Sequence, residues 1–258
     1  LGVRRQRQMC IRDSSITEQY ATFNISGPKT RNIIEKVFPE VNFSNEAFPF
    51  MTFQFHEYED TPIRILRASF TGEMGYEIYV PSNQAVKIWE KIISFGKEFG
   101  LMPYGTETMH LLRAEKGYII VGQDTDGSIT PLDLGLDWII GKSKKDFLGK
   151  RSLIRSDTVR KDRKQLVGIL PTNKNEKLEE GQHIILDKEI KTPTPMLGHI
   201  TSCYQSPTLG HNFALAVIKN GQSLIGTKAF VSTPELKTIE VEIVEPIFYD
   251  KENTKLAS

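Results

Sequence analysis

An α+β domain followed by a small all-β barrel is the architecture this sequence predicts. Three observations carry the prediction. Up to about residue 158, segments with helical spacing are interleaved with segments that alternate apolar and polar residues. Beyond that point the helical period disappears, and six short strand-like runs follow one another with Gly and Pro between them. At the change lies VRKDR (159–163), a charged stretch that reads as a linker. The predicted division is therefore 15–158 and 159–258, with residues 1–14 set apart.

In chain order, TFNIS (22–26) alternates as a strand, and Gly27-Pro28 leads into KTRNIIEKVF. Ile33, Ile34, Val37 and Phe38 there have helical spacing, and Pro39 stops the helix. MTFQFHEY (51–58) alternates with Phe53 and Phe55 on one face. IRILRASF and YEIYVP then read as a hairpin around the five residues Thr71–Gly75. A helix follows from Pro81-Ser82, with one apolar stripe of Ala85, Val86, Ile88, Trp89, Ile92, Ile93 and Phe99, ended by Gly100. Thr106 is the expected cap of a further helix, ETMHLLRAEK, closed by Gly117. A loop-rich stretch runs to Trp138, and FLGKRSLIRSD (147–157) reads as one more helix. The barrel strands are QLVGIL, HIILD, LGHITSC, FALAVI, KAFVS and IEVEIV.

The chain has 258 residues, 39% hydrophobic and 25% charged, enough for a sizeable core. A formal net charge of +1 gives no electrostatic case for nucleic acid or an anionic membrane. No apolar run approaches the roughly 18 residues of a spanning helix. No basic-then-apolar secretory leader is present, so a cytoplasmic location is expected. LGVRRQRQMCIRDS (1–14) is basic and without period, and reads as an artefactual or disordered leader. Cys10 and Cys203 make no disulfide framework. His56, His110, His183, His199 and His211 never pair at ligand spacing, so no metal is expected. Neither phosphate-loop nor dinucleotide fingerprints nor a nucleophile elbow occurs. Flavin and nicotinamide chemistry is therefore not expected in this chain.

Glu73 is the one carboxylate in the Thr71–Gly75 loop, between two glycines; on spacing alone it is a solvated turn residue. Arg113, in LLRAEKG, is on the same terms a salt-bridging helix residue, paired to Glu115 or to Glu73. Asp124, Asp126 and Asp133 read as turn and cap residues.

Three segments carry several glycines and turn residues at irregular spacing: FTGEMGYEI (70–78), LLRAEKGYIIVGQDTDGSITPLDLGLDW (111–138) and GHITSCYQSPTLGHNFALAVI (198–218). Together they resemble the aminomethyltransferase family, the folate-binding T-protein of the glycine cleavage system. That family carries Y-T-G-E-x-G-x-E-I, R-L-E-A-G, G-x-D, T-P before a Trp, G-x-V/I-T-S and S-P-T-L. The resemblance runs from Ile16 to about Lys255. SITEQYATFNISGP, TPLDLGLDWIIGKSKKDFLGKRSL and the closing PIFYDKENTKL resemble one branch more narrowly, the C-terminal region of the alpha subunit of heterotetrameric sarcosine oxidase.

The resemblance implies a folate-binding aminomethyltransferase-like α+β domain over 15–158, incomplete at its N-terminus. It implies tetrahydrofolate as cofactor and conversion of the one-carbon unit from sarcosine to 5,10-methylenetetrahydrofolate. It places FAD, FMN and NAD in other regions or subunits, and implies a flavin-bearing beta subunit and smaller subunits as partners. The family's pterin-contacting Glu falls on Glu73, whose carboxylate can accept from a ring N–H and an exocyclic amine at once. Arg113 is the Arg of R-L-E-A-G, expected near the folate. Thr71, Gly72 and Tyr76 are expected to shape the ligand loop, and Tyr249 to reach the ligand from the barrel end. T-proteins often carry Arg after the final P-F-[VY] run; here that place is Asp250. The implied catalytic base lies upstream of Ile16, so no catalytic residue is assigned. A free-standing T-protein is the alternative. A non-catalytic folate sensor is a third reading, but the K-G-C-Y-x-G-Q-E signature of such relatives reads KGYIIVGQD here, without the Cys.

Overall fold

The computed structural model describes residues 15–190 and 193–258. The leader 1–14 lies outside the described residues. Packing divides the chain into one unit up to Tyr104 together with Thr254–Ser258, and a second over Gly105–Asn253. The 159–258 strands do form the barrel. The helix and loops over 105–158 pack in the barrel's unit, although the sequence period groups them with the preceding segments.

The first unit holds β1 (Tyr20–Ser26), α1 (Thr30–Val37), β2 (Phe53–Tyr58), β3 (Thr61–Leu66), β4 (Gly75–Pro81) and α2 (Ala85–Gly96). Its antiparallel sheet runs β1-β4-β3-β2. The two-residue period aligns Phe23 with Ile78 and Ile78 with Ile65, turning Ile25, Ile63, Ile65, Tyr76, Ile78 and Val80 to one face. That face meets Ile33, Ile34 and Val37 of α1 and Ile88 and Ile92 of α2 in one core. The stripe of α2 is narrower than its spacing predicts, because Val86 and Trp89 are exposed. β2 and β3 close in a two-residue turn with positive φ at Glu59 (49°) and Asp60 (58°), the twist that tight hairpins need.

The β3–β4 connection differs from the predicted five-residue loop. The ladder stops at Leu66 opposite Glu77. Arg67 then turns to another partner: its N–H donates to Thr52 O at 2.9 Å, and its carbonyl accepts from Met51 N–H at 2.8 Å. Residues 67–74 therefore form the loop.

The second unit begins with α3 (Thr106–Glu115), whose N-cap is Gly105 rather than the expected Thr106. Gly117, at φ +75°, closes it, and Tyr118 N–H donates back to Arg113 O at 2.9 Å. A Cβ at Gly117 would stand 2.5 Å from Pro246 O, so the closing glycine also permits a close backbone approach. FLGKRSLIRSD is not a helix; only Lys150–Ile154 winds, as a 3-10 turn. Leu148 and Ile154 are exposed, so no buried apolar face stabilises a longer helix there.

β5 (Lys164–Pro171), β6 (His183–Ile185), β7 (Gly198–Ser206), β8 (His211–Lys219), β9 (Lys228–Ser232) and β10 (Thr238–Val244) close into a barrel in the order β10-β5-β8-β7-β6-β9. Ala214, Ala216 and Ile218 join the interior with Val167, Ile169, Ile200, Val231, Val241 and Ile243. Phe213, Leu215 and Val217 of the same strand face outward and pack with Ala114 of α3. Burial on both faces explains why β8 reads as an uninterrupted apolar run. A bulge between Ile200 and Ser202 breaks the alternation of β7.

Candidate functional site

The loop of residues 67–74 is built to hold one carboxylate at a fixed place in the first unit. Met74 is buried in the core, and its carbonyl accepts from Gly27 N–H at 2.9 Å. Thr71 and Gly72 are buried; Thr71 N–H donates to Ser69 Oγ at 3.2 Å, and the two hydroxyls lie 3.1 Å apart. Gly72 takes φ +81°, a conformation a side chain would strain. A Cβ at Gly75 would lie 2.9 Å from Ala68 O and 3.0 Å from Ser69 Cβ, so the loop folds against a bare backbone. Glu73, half-buried between these braced residues, is the loop's carboxylate.

Tyr76 does not line the loop. Its ring is fully buried, 5.3 Å from Phe43 and 5.7 Å from Phe48 in edge-on contacts. The strand period sends Tyr76 to the core face. Its hydroxyl has no hydrogen-bond partner among the described residues. Glu77 points to the other face and accepts from Tyr79 Oη; burial, then Glu77, push the Tyr79 phenol up to about 12.

Arg113 belongs to the second unit, and Thr71, Gly72 and Glu73 to the first. It is fully buried, with Nη1 donating to Tyr118 O at 2.9 Å and to Asp124 Oδ2, and Nη2 donating to Ser202 Oγ at 2.7 Å. Asp124, expected as a turn residue, is the hub. Its Oδ2 also accepts from Ile120 N–H at 2.8 Å, and its Oδ1 accepts from Thr201 Oγ1 at 2.6 Å and Ser202 Oγ at 2.7 Å. Adjacent strand residues normally point to opposite faces; the β7 bulge lets both hydroxyls meet one oxygen. Asp133 is the cap the sequence predicts, accepting from Thr130 N–H at 2.7 Å, and it also takes Arg163 Nη2 at 2.7 Å. Burial works to raise the Asp133 carboxyl, but the bonds from Arg163 and Thr130 outweigh it and hold the group below its usual range.

The end of α3 anchors the chain beyond the barrel. The Glu115 carbonyl accepts from Phe248 and Tyr249 N–H, both at 2.9 Å, so half-buried Tyr249 is fixed through its backbone. Lys116 donates to the Asp250 carboxylate at 3.2 Å, both side chains being 2% exposed. Lys116 stands where R-L-E-A-G has Ala, and Asp250 where T-proteins often have Arg. The two departures from the pattern are each other's partners.

The Glu115 carboxylate is buried against the Ser206 hydroxyl, which donates to it at 2.5 Å. Burial raises its pKa above the ordinary 4.5, against the weaker pull of Ser206. A folded-state pKa above the unfolded value means that stability falls as pH rises between the two. Glu115→Gln keeps the acceptor and removes the charge. It is expected to raise the Tm by roughly 2–4 °C at pH 8, about 1 kcal/mol for a chain this size. The gain should vanish below pH 4.5. Calorimetry across that range checks it, and a Tm gain independent of pH would contradict it.

A cavity of about 470 Å³ in the second unit is lined by Leu170, Thr172, Lys174, His211, Lys228 and Glu242 among others, and none of the expected site residues borders it. Among the described residues no cluster of His, Cys, Asp and Glu is arranged to hold a metal ion, and no helix is long and apolar enough to cross a membrane.

Comparison with known proteins bears on this arrangement. Residues 3–144 match the family described as GCVT N-terminal domain, and residues 164–250 match the glycine cleavage T-protein C-terminal barrel domain. The sarcosine oxidase subunit alpha of Corynebacterium sp. (strain P-1) is 46% identical over 94% of this chain and 25% of its own length. That of Rhizobium meliloti is 34% identical over 96% of this chain, again 25% of its own length. The aminomethyltransferase of Thermoanaerobacter sp. (strain X514) is 30% identical over 93% of this chain and 62% of its own length. The chain thus spans a quarter of the sarcosine oxidase subunits and about three-fifths of that aminomethyltransferase. The crystal structure of the glycine cleavage system aminomethyltransferase T from Bartonella henselae superposes with a TM-score of 0.73 at 22% identity, over 90% of this chain and 60% of that one. With the two family matches in chain order and a barrel where the second describes one, this chain belongs to the glycine cleavage T-protein (GCVT) family.

Proposed function

We propose that this chain is the tetrahydrofolate-binding, one-carbon-transferring module of a sarcosine oxidase alpha subunit. The observation that carries the reading is the half-buried Glu73 carboxylate on a loop braced by Thr71, Gly72, Met74 and Gly75, in a GCVT-family chain. The donor set fits the cofactor. A carboxylate is acceptor-only, and a pterin edge offers a ring N–H and an exocyclic amine side by side. Glu73 takes both, while Gly72 supplies the positive φ the loop needs and Gly75 lets the loop fold closely on Ala68 and Ser69 behind it. Tetrahydrofolate, when bound, supplies the two amine nitrogens that take up a carbon at the formaldehyde level. Glu73 serves recognition, and no proton transfer is assigned to it. Arg113 and Tyr76 support the module from within, through the Asp124 hub and the Phe43–Phe48 core respectively.

In this reading a flavin-bearing beta subunit delivers the oxidised methyl group in the cytoplasm, with smaller subunits completing the assembly. Similarity to sarcosine oxidase subunits at up to 46% identity, against 30% for the aminomethyltransferase, favours this branch. A free-standing aminomethyltransferase is the second reading. Calorimetric titration of the purified chain with tetrahydrofolate is expected to give saturable binding at one site, and a flat titration would sink the folate reading in either branch. Sarcosine turnover with the flavin-bearing subunit is expected to yield 5,10-methylenetetrahydrofolate. Free formaldehyde in its place, with folate bound, would favour the second reading.

A further inference from the structure

The residue that opens the Glu73 loop is also the one that ties it down. Arg67 is 1% exposed. Its Nη1 donates to Phe48 O at 2.7 Å, and its Nη2 donates to Ala257 O at 3.1 Å and Ser258 O at 2.9 Å. Arg31 donates to the same Ser258 oxygen at 3.0 Å and to Asn45 Oδ1 at 2.6 Å. Leu256, just before these anchor points, is buried, and Thr254–Ser258 packs within the first unit, far in sequence from the rest of it. The Arg67 main chain is held on both sides as well, by Thr52 O and Met51 N–H. A buried guanidinium is costly unless its donors are satisfied, and because Arg67 Nε has no hydrogen-bond partner among the described residues, Nη1 and Nη2 carry that burden. Here two of the three carbonyls that Nη1 and Nη2 reach belong to residues 257 and 258. Without them Arg67 must seek water, and the backbone that moves with it is the first residue of the ligand loop.

We propose that Arg67 is a positioning residue for Glu73 and that residues 254–258 form the strap that holds it in place. The consequence for ligand affinity rests on the folate reading of Glu73; the strapping of the loop does not. The planar fork of Arg67 serves acceptors on two segments at once, which a compact lysine ammonium cannot reproduce. Leu256→Ser loosens the strap without touching Arg67.

The test uses the full 258-residue chain as parent, Arg67→Lys and Leu256→Ser. Hydrogen exchange read by mass spectrometry is expected to show amides of residues 68–74 exchanging at least tenfold faster in both variants. Amides of β7 and β8 should keep their parent rates. Tetrahydrofolate affinity should fall at least tenfold in both. Unchanged exchange over 68–74 overturns the strap, as does acceleration that spreads equally through β7 and β8, which is global unfolding. Faster loop exchange with unchanged affinity overturns the positioning role. A parent that binds no tetrahydrofolate refutes the folate reading, and the exchange rates alone then decide the strap.

Discussion

Asp124→Ala should destabilise the chain by about 3–5 kcal/mol, the scale for removing one partner of a buried ion pair. Both side chains are fully buried, so the loss leaves the Arg113 guanidinium away from bulk solvent without its counter-charge. Ile120 N–H and Ser202 Oγ lose their acceptor in the same step, and Thr201 Oγ1 is left with Leu215 O alone. Against a typical total of about 5–15 kcal/mol, that is enough to shift the urea midpoint severely. The paired variant Arg113→Met/Asp124→Leu removes charge and counter-charge together. It is expected to recover much of the loss, since an apolar replacement of a whole buried pair is often close to neutral. The coupling energy from the double-mutant cycle is the deciding quantity. A single-variant loss below about 1 kcal/mol, or a double variant no better than the single, would show that the pair does not hold α3 to the barrel.

The same network marks where the sequence stops being readable. Arg113 stands out through its motif, and the helix beneath it follows from spacing. Its partner could not be read, because the contact depends on Asp124, which looks like a turn residue, and on Thr201 and Ser202, which reach it only through a bulge. A bulge leaves no mark on a two-residue period. β8 was legible for the opposite reason: buried on both faces, it needs apolar residues throughout. The failed helix at FLGKRSLIRSD and the over-wide stripe of α2 share one cause. Apolar residues at helical spacing mark a helix face only where something covers them, and Leu148, Ile154 and Val86 are uncovered. The loop of residues 67–74 is longer than the turn signal predicts because the Arg67 main chain pairs with Thr52 and Met51 instead of continuing the β3–β4 ladder, and nothing local in the sequence marks that switch. Glu73 stands out in the sequence because glycines on both sides are a local signal, while the ligand role proposed for it rests on the family resemblance. Arg67 does not stand out, because the residues that satisfy it lie 19, 190 and 191 positions away.

Glu73→Gln should weaken tetrahydrofolate binding by roughly 10- to 150-fold, the equivalent of the 1.5–3 kcal/mol of a hydrogen bond to a charged group. Gln keeps one acceptor oxygen but places an NH₂ against the second pterin donor, so one bond is lost and a donor–donor contact is created. The fold should survive the change, because Glu73 is half-buried, Gln is isosteric with it, and Thr71, Gly72, Met74 and Gly75 brace the loop independently. Glu73→Asp separates charge from reach: it restores the carboxylate one methylene short, and an affinity between the other two is expected. A pterin without its exocyclic amine sharpens the reading further. Parent and Glu73→Gln should bind that analogue with nearly equal, weak affinity, since the group that distinguishes them is gone. Equal affinity of parent and Glu73→Gln for tetrahydrofolate itself would remove the pterin role from Glu73. A selective loss confined to the intact pterin edge would tie the carboxylate to that edge, and would separate recognition by Glu73 from any role in the chemistry.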